Sequence, residues 1–108
     1  MRHYTVEELP EVKADLRALN NSQLVQVEKA IKKVLQNPLP KTEGGLGNPL
    51  GNKGGFNLTG LCSIKLRKLG IRVIYDIVRI NGVMRIIVVA ARADGEVFRL
   101  AAKRTGRD

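Results

Sequence analysis

Residues 61–98 read LCSIKLRKLGIRVIYDIVRINGVMRIIVVAARADGEVF, and they carry the strongest strand and turn signals of the chain. It contains three apolar segments, rich in β-branched residues, that are separated by two glycine-containing turns. The pattern predicts strands over about 61–67, 71–80 and 83–91. Because 83–91 is nearly all apolar, it is typical of a central strand that is covered on both faces.

The two turns predict how these strands pair. If Leu69-Gly70 and Asn81-Gly82 are both two-residue turns, the strands are adjacent and antiparallel. Residue 67 then lies opposite 72, residue 65 opposite 74, and residue 72 opposite 91. The Asn-Gly pair is the strongest local signal in the chain, because it favours a type I′ hairpin turn.

This register brings basic side chains together at one end of the sheet. Lys65, Arg67 and Arg72 would share one face, and Arg92 would leave the sheet just beyond them. Like charges placed side by side are destabilising, and an anion between them would offset that cost. We therefore expect a cationic site for an RNA phosphate, although a loose basic rim without a ligand is the simpler alternative.

The flanking segments complete an α+β fold in a single domain, 1–108. A first strand is predicted over 2–6. Amphipathic periodicity then predicts two helices, about 10–19 and 22–36, that form a hairpin over one sheet face. A short last helix is predicted at about 95–104, capped by Asp94. Together the predicted strands form a mainly antiparallel sheet of about four strands.

Residues 38–60 are too rich in glycine and proline for regular structure. Long loops of this kind are often functional. The run Gly-Asn-Lys-Gly-Gly at 51–55 could cradle a phosphate with backbone amides, and Lys53 lies within it. The run lacks the Gly-Lys-Ser/Thr ending of a P-loop, so a nucleotide site is not expected.

Composition restricts the class of protein. The formal net charge is +9, and residues 55–108 carry +7 of it, with eleven Lys/Arg against four Asp/Glu. This bias favours a polyanionic partner, with a merely soluble basic surface as the alternative. The single cysteine, Cys62, excludes an internal disulfide and a cysteine-based metal site. No signal peptide or membrane-spanning run is present, so we expect a soluble cytoplasmic protein without membrane contact.

Several residues that could carry chemistry are better explained by structure or solvation. His3 is expected to be a solvated strand residue, and Cys62 a small buried hydrophobe. The lysines of the second helix, Lys29, Lys32 and Lys33, could touch RNA but more often form a solvated face. Phe98 is expected to make a core or groove contact, because a phenyl ring has no titratable proton.

Two motifs carry a resemblance to a known family. The run IKLRKLGIRVIY at 64–75, followed by VVAARADGEVF at 88–98, resembles the RelE/ParE toxins of bacterial type II toxin–antitoxin systems. The order of strand, two helices, three strands and a helix agrees over nearly the whole chain. The spacing and the basic cluster look more RelE-like than ParE-like.

The resemblance implies a ribosome-dependent endoribonuclease that cuts mRNA without a metal ion or other cofactor. In such chemistry a 2′-hydroxyl attacks its own 3′-phosphate, so a base, an acid and cations are needed. Carried over by position, Arg72 would stabilise charge on phosphorus, Arg92 would act at the leaving group, and Lys65 would contact phosphate or act as base.

Two positions depart from the family pattern. Ser63 stands where the family has a lysine, and Arg67 could partly replace that cation. The family's tyrosine falls on Phe98, which can stack on a base but cannot transfer a proton. The chain could therefore cut slowly, use Lys65 or Glu96 as base, or act in another way. Arg67, Lys68, Ser63 and Lys53 are the remaining candidate RNA contacts.

The resemblance also implies partners and alternatives. The expected partners are a RelB-like antitoxin, the ribosome with its mRNA, and operator DNA through the antitoxin. The antitoxin segment would be acidic or amphipathic. A ParE-like inhibitor of DNA gyrase is one alternative. A catalytically weak homologue that acts by binding antitoxin and operator DNA is the other.

Overall fold

The computed structural model describes residues 3–91 and 95–107. The chain forms a five-stranded sheet that is covered on one face by two helices and on the other by a third helix and a long loop. The helices are α1 (Val12–Arg17), α2 (Asn21–Leu35) and α3 (Glu96–Arg104). The strands are β1 (Thr5–Glu8), β2 (Asn48–Pro49), β3 (Asn52–Lys53), β4 (Phe56–Asn57), β5 (Cys62–Leu66), β6 (Ile71–Val78) and β7 (Val83–Ala91).

The main sheet has the order β1-β7-β6-β5-β2. Only the β1–β7 pair is parallel, with Thr5 opposite Val83. The expectation of a mainly antiparallel α+β fold is confirmed, with five strands in this sheet rather than about four. The short strands β3 and β4 form a separate hairpin.

The first strand starts later than the sequence predicted. Residues 2–6 were expected, but β1 is Thr5–Glu8, because its partner β7 begins only at Val83 and Thr5 N donates to Gly82 O. The first helix is also shorter than the predicted 10–19. It ends at Arg17 because Asn20 adopts an extended conformation, with ψ at 171°, to cap α2.

Both hairpin turns contain four residues, so the predicted two-residue turns are wrong. Leu66 pairs with Ile71, and Val78 pairs with Val83. The turns 67–70 and 79–82 each end in a glycine with positive φ, 67° at Gly70 and 66° at Gly82. Strands β5 and β6 therefore stop short of the predicted ends at 67 and 80.

The register is shifted as a result. Lys65 lies opposite Arg72, where Arg67 was predicted, and Arg72 lies opposite Ala90 rather than residue 91. A shift of two residues keeps Lys65 and Arg72 on the same face. In β7 a bulge at Ile87 separates the pairs Ile74–Val88 and Tyr75–Ile86.

Two apolar cores lie on opposite faces of this sheet. Under α1 and α2, buried side chains from β5, β6 and β7 meet Val12, Val27 and Val34. Under α3, another buried set includes Ile74, Ile87, Val88, Val97 and Ala101. Strand β7 contributes Met84, Ile86 and Val89 to the first core, and the bulge places both Ile87 and Val88 in the second, so β7 is covered on both faces, as its composition indicated.

The predicted loop 38–60 contains the short strands β2, β3 and β4 and is anchored on the sheet. Tyr75 Oη donates to Pro38 O at 2.7 Å, and Leu50 and Leu58 are buried under α3. Burial raises the pKa of both Tyr75 and Cys62. Cys62 is only 1% exposed, which confirms it as a small buried hydrophobe.

A partly buried ion pair fixes α3 to the rest of the fold. Arg104 Nη1 donates to Asp15 Oδ2 at 2.7 Å and to Ile87 O at 3.0 Å. Asp15 Oδ2 also accepts from Val89 N at 3.0 Å. The Asp15 carboxylate of α1 thus links Arg104 of α3 to Val89 of β7, and Arg104 also bonds to Ile87 at the bulge.

None of the helices in the described part of the chain has the length and hydropathy needed to traverse a bilayer.

Candidate active site

A small cleft on the α3 face of the sheet brings together five candidate site residues from the sequence, namely Lys53, Ser63, Lys65, Arg72 and Phe98. Its volume is about 60 Å³, and its polar or aromatic lining consists of Asn48, Lys53, Ser63, Lys65, Arg72 and Phe98. Pro49 and Leu50 complete the wall. We call this the cationic cleft.

Strands β5 and β6 supply the floor and two cations. Ser63 and Lys65 are two residues apart in β5, and therefore project from the same face. Arg72 lies directly across from Lys65 on β6. Arg72 is only 8% exposed, whereas Lys65 is exposed to solvent.

Helix α3 brings Phe98 over Arg72. The guanidinium carbon of Arg72 lies 4.7 Å from the centroid of the Phe98 ring. This is a cation–π arrangement, which attracts the arginine to the ring face. The interpretation of Phe98 as a groove contact therefore agrees with its geometry.

The glycine-rich run 51–55 contains β3 and the tip of the β3–β4 hairpin, which carries Lys53 to the cleft. Gly54 and Gly55 form its tip with positive φ, 59° and 86°. A Cβ on Gly54 would lie 3.8 Å from the Phe98 side chain, so the hairpin packs close to α3.

Other candidates lie elsewhere. Arg67 and Lys68 are exposed in the 67–70 turn and do not line the cationic cleft, so Arg67 does not take the place of the cation missing at Ser63. Arg92 and Asp94 fall outside the described residues. Of the four cations that were predicted to converge, the described chain therefore places Lys65 and Arg72 together in the cleft.

Glu96 is a poor candidate for the base. It is exposed, and Arg99 Nε donates to its Oε2 at 3.1 Å. This contact with the Arg99 guanidinium lowers the pKa of Glu96 below its usual value. A carboxylate with a lowered pKa accepts a proton less readily.

His3, Tyr4 and Lys32 line a different and wider groove, of about 590 Å³, next to the end of α2. His3 and all three lysines of α2 are exposed, which agrees with solvated side chains. Within the described residues, no three His, Cys, Asp or Glu side chains lie close enough to hold a metal ion.

Asn48 also lines the cleft, and no pattern in the sequence predicted it. Asn48 lies opposite Ser63, and its Nδ2 donates to Ser63 O at 3.2 Å. Strand β2 contains two residues, so it is too short to leave an alternating pattern.

No protein-family model matches the sequence, and no curated protein is significantly similar to it. Solved structures are similar in fold. An E. coli toxin RelE mutant in the free state superposes with a TM-score of 0.76 at 24% identity, covering 95% of this chain and 98% of that one. The toxin–antitoxin complex RelBE2 from Mycobacterium tuberculosis gives 0.66 at 28% identity, covering 87% and 97%.

The archaeal RelE–RelB complex from Pyrococcus horikoshii gives a TM-score of 0.58 at 19% identity, covering 86% of this chain and 99% of that one. E. coli RelE has also been solved with a peptide of the antitoxin RelB, with a TM-score of 0.69. These matches confirm the RelE-like fold that residues 64–75 and 88–98 indicated, and they support a RelE-like toxin.

Proposed function

We propose that this RelE-like chain is the toxin of a type II toxin–antitoxin system and cleaves mRNA on the ribosome. One observation carries the proposal: Lys65, Arg72 and Phe98, identified from the sequence alone, line a single cleft. Cations arranged around a small cleft suit the phosphate of an RNA backbone, whose charge increases during cleavage.

The chemistry proposed is attack of a 2′-hydroxyl on the neighbouring 3′-phosphate, without a metal ion. Arg72 would stabilise the negative charge that develops on the phosphate oxygens. Lys65 would contact the phosphate or accept the proton of the 2′-hydroxyl. Arg92 is proposed as the cation or proton donor at the departing 5′-oxygen. Phe98 would hold Arg72 and stack on a base, but would transfer no proton.

The proposed partners follow from the solved relatives and from the charge. E. coli and P. horikoshii RelE are described in complexes with RelB. We expect a RelB-like antitoxin for this chain, with operator DNA bound through it. A net charge of +9 favours an acidic antitoxin segment and association with ribosomal RNA. The activity would take place in the cytoplasm, where mRNA is translated.

A translation reaction with purified components tests the proposal. Wild-type protein should produce cuts in ribosome-bound mRNA, mapped by primer extension, and Arg72→Ala should remove them. Arg99→Ala is the matched control, because Arg99 is exposed on α3 and is not among the residues of the cleft. Intact mRNA with active wild-type protein would contradict the proposal.

Two other functions give different results. A ParE-like protein would inhibit supercoiling by purified gyrase and leave mRNA intact. A catalytically weak homologue would bind its antitoxin tightly and cause no growth arrest when expressed. The geometry favours the weak homologue over the gyrase inhibitor, because the Phe98 ring next to Arg72 has no titratable group that could transfer a proton.

A further inference from the structure

The hydroxyl of Ser63 is the unusual polar group of the cationic cleft. Ser63 is 0% exposed, and its Oγ has no hydrogen-bond partner in 3–91 and 95–107. A buried hydroxyl without a partner costs free energy, so such groups are rare unless a ligand or water completes them. Ser63 also lines the cleft between Asn48 and Lys65.

We propose that Ser63 Oγ donates a hydrogen bond to a non-bridging oxygen of the RNA phosphate, at the floor of the cationic cleft. This inference rests on the proposed function and names a neutral contact within that site. The strand register supports it, because Ser63 is on the same face of β5 as Lys65 and Lys65 is opposite Arg72. One phosphate in the cleft would meet a hydroxyl and two cations.

The dimensions of the cleft restrict what it can hold. Pockets for organic ligands occupy about 300–1,000 Å³, whereas this cleft has about 60 Å³. A tetrahedral phosphate group matches the small volume and the charge, and a nucleobase does not. The base would therefore remain outside the cleft, where Phe98 is half-buried.

Lys53 provides a charged comparison within the same cleft. It is exposed and reaches the cleft from the β3–β4 hairpin, on a different segment from Ser63. A lysine that neutralises a phosphate releases a counterion, and its loss reduces the salt dependence of binding. A serine hydroxyl carries no charge, so its loss should weaken binding equally at every salt concentration.

Binding of a fluorescein-labelled 2′-O-methyl tetraribonucleotide tests the inference, because this probe cannot be cut. Anisotropy titrations of the full chain should give a Kd that is roughly tenfold higher for Ser63→Ala than for wild type. The slope of log K against log salt should not change. Lys53→Gln should reduce that slope by about 0.7. Ser22→Ala, which removes an exposed hydroxyl from α2, should bind like wild type.

Thermal unfolding of the free protein completes the test. Ser63→Ala should melt at the same temperature as wild type or higher, because the variant no longer buries an unsatisfied hydroxyl. An unchanged Kd for Ser63→Ala, no binding of the probe by wild type, or a markedly lower melting temperature would each overturn the inference. Failure of wild type to cut mRNA would contradict the proposed function while leaving this binding result intact.

Discussion

The guanidinium of Arg72 lies against the face of Phe98, 4.7 Å from the ring centroid, and this contact joins the sheet to α3 at the cationic cleft. Arg72 belongs to β6 and Phe98 to α3, so the position of the cation depends on how the helix is seated. A planar guanidinium stacks on an aromatic ring better than an ammonium does. The geometry therefore distinguishes arginine from lysine at this position.

The first prediction concerns that distinction. Arg72→Lys keeps the charge but loses the planar stacking and the paired donors, so single-turnover cleavage of ribosome-bound mRNA should fall by about 100-fold. Arg99→Lys is the control on an exposed arginine and should cut at the wild-type rate. Wild-type activity in Arg72→Lys would show that charge alone is sufficient.

The second prediction concerns Phe98. Phe98→Tyr adds a hydroxyl that can exchange a proton, and general acid–base catalysis contributes about 10²–10⁴-fold, so cleavage should rise by at least tenfold. Phe98→Leu removes the ring over Arg72 and should lower cleavage. Single-turnover rates measure both changes. No gain in Phe98→Tyr would support the catalytically weak homologue.

The third prediction concerns the ion pair that holds α3. The side chains of Asp15 and Arg104 are 11% and 12% exposed, so Asp15→Asn leaves a poorly solvated cation without its carboxylate. The free energy of unfolding should fall by about 2–4 kcal/mol, measured by urea denaturation. Glu43→Gln, which breaks the exposed pair with Arg79, should leave stability nearly unchanged. Equal effects of the two variants would argue against a structural role of the Asp15–Arg104 pair.

The fourth prediction compares two glycines of the 38–60 segment. A Cβ on Gly47 would lie 2.1 Å from Tyr75 Oη, whereas a Cβ on Gly51 would meet nothing within 4 Å among the described residues. Gly47→Ala should therefore displace the ring that anchors Pro38 and destabilise the fold by about 3 kcal/mol. Gly51→Ala should have the same midpoint of urea unfolding as wild type. Comparable midpoints for both variants would contradict the close packing at Gly47.

The strands and helices were predictable because their signals are local. Alternation of apolar residues identified β5, and the continuous apolar run identified β7 as covered on both faces. The turn lengths were not predictable in the same way. Gly70 and Gly82 do mark the turns, but each is the fourth residue of its turn. Whether a turn has two or four residues depends on backbone geometry that the sequence pattern does not show.

The composition of the site was predictable in part. Lys65 and Arg72 share a face under either register, since an even shift preserves the side of the sheet, and Phe98 follows from the motif 88–98. Lys53 was a candidate from the glycine-rich run 51–55, but Asn48 was not, because its place depends on how the irregular segment folds back beside β5. The Asp15–Arg104 pair joins residues 89 positions apart, which no local pattern reports.

The parallel pairing of Thr5 with Val83 has a consequence for synthesis of the chain. Strand β1 is synthesised before the other strands of the main sheet, and its partner β7 begins only at Val83, so this sheet cannot be completed until β7 has been translated. The β5–β6 and β6–β7 hairpins need only short-range contacts and can form earlier. Docking of β1 is therefore a late folding event, because it closes the long loop between Thr5 and Val83.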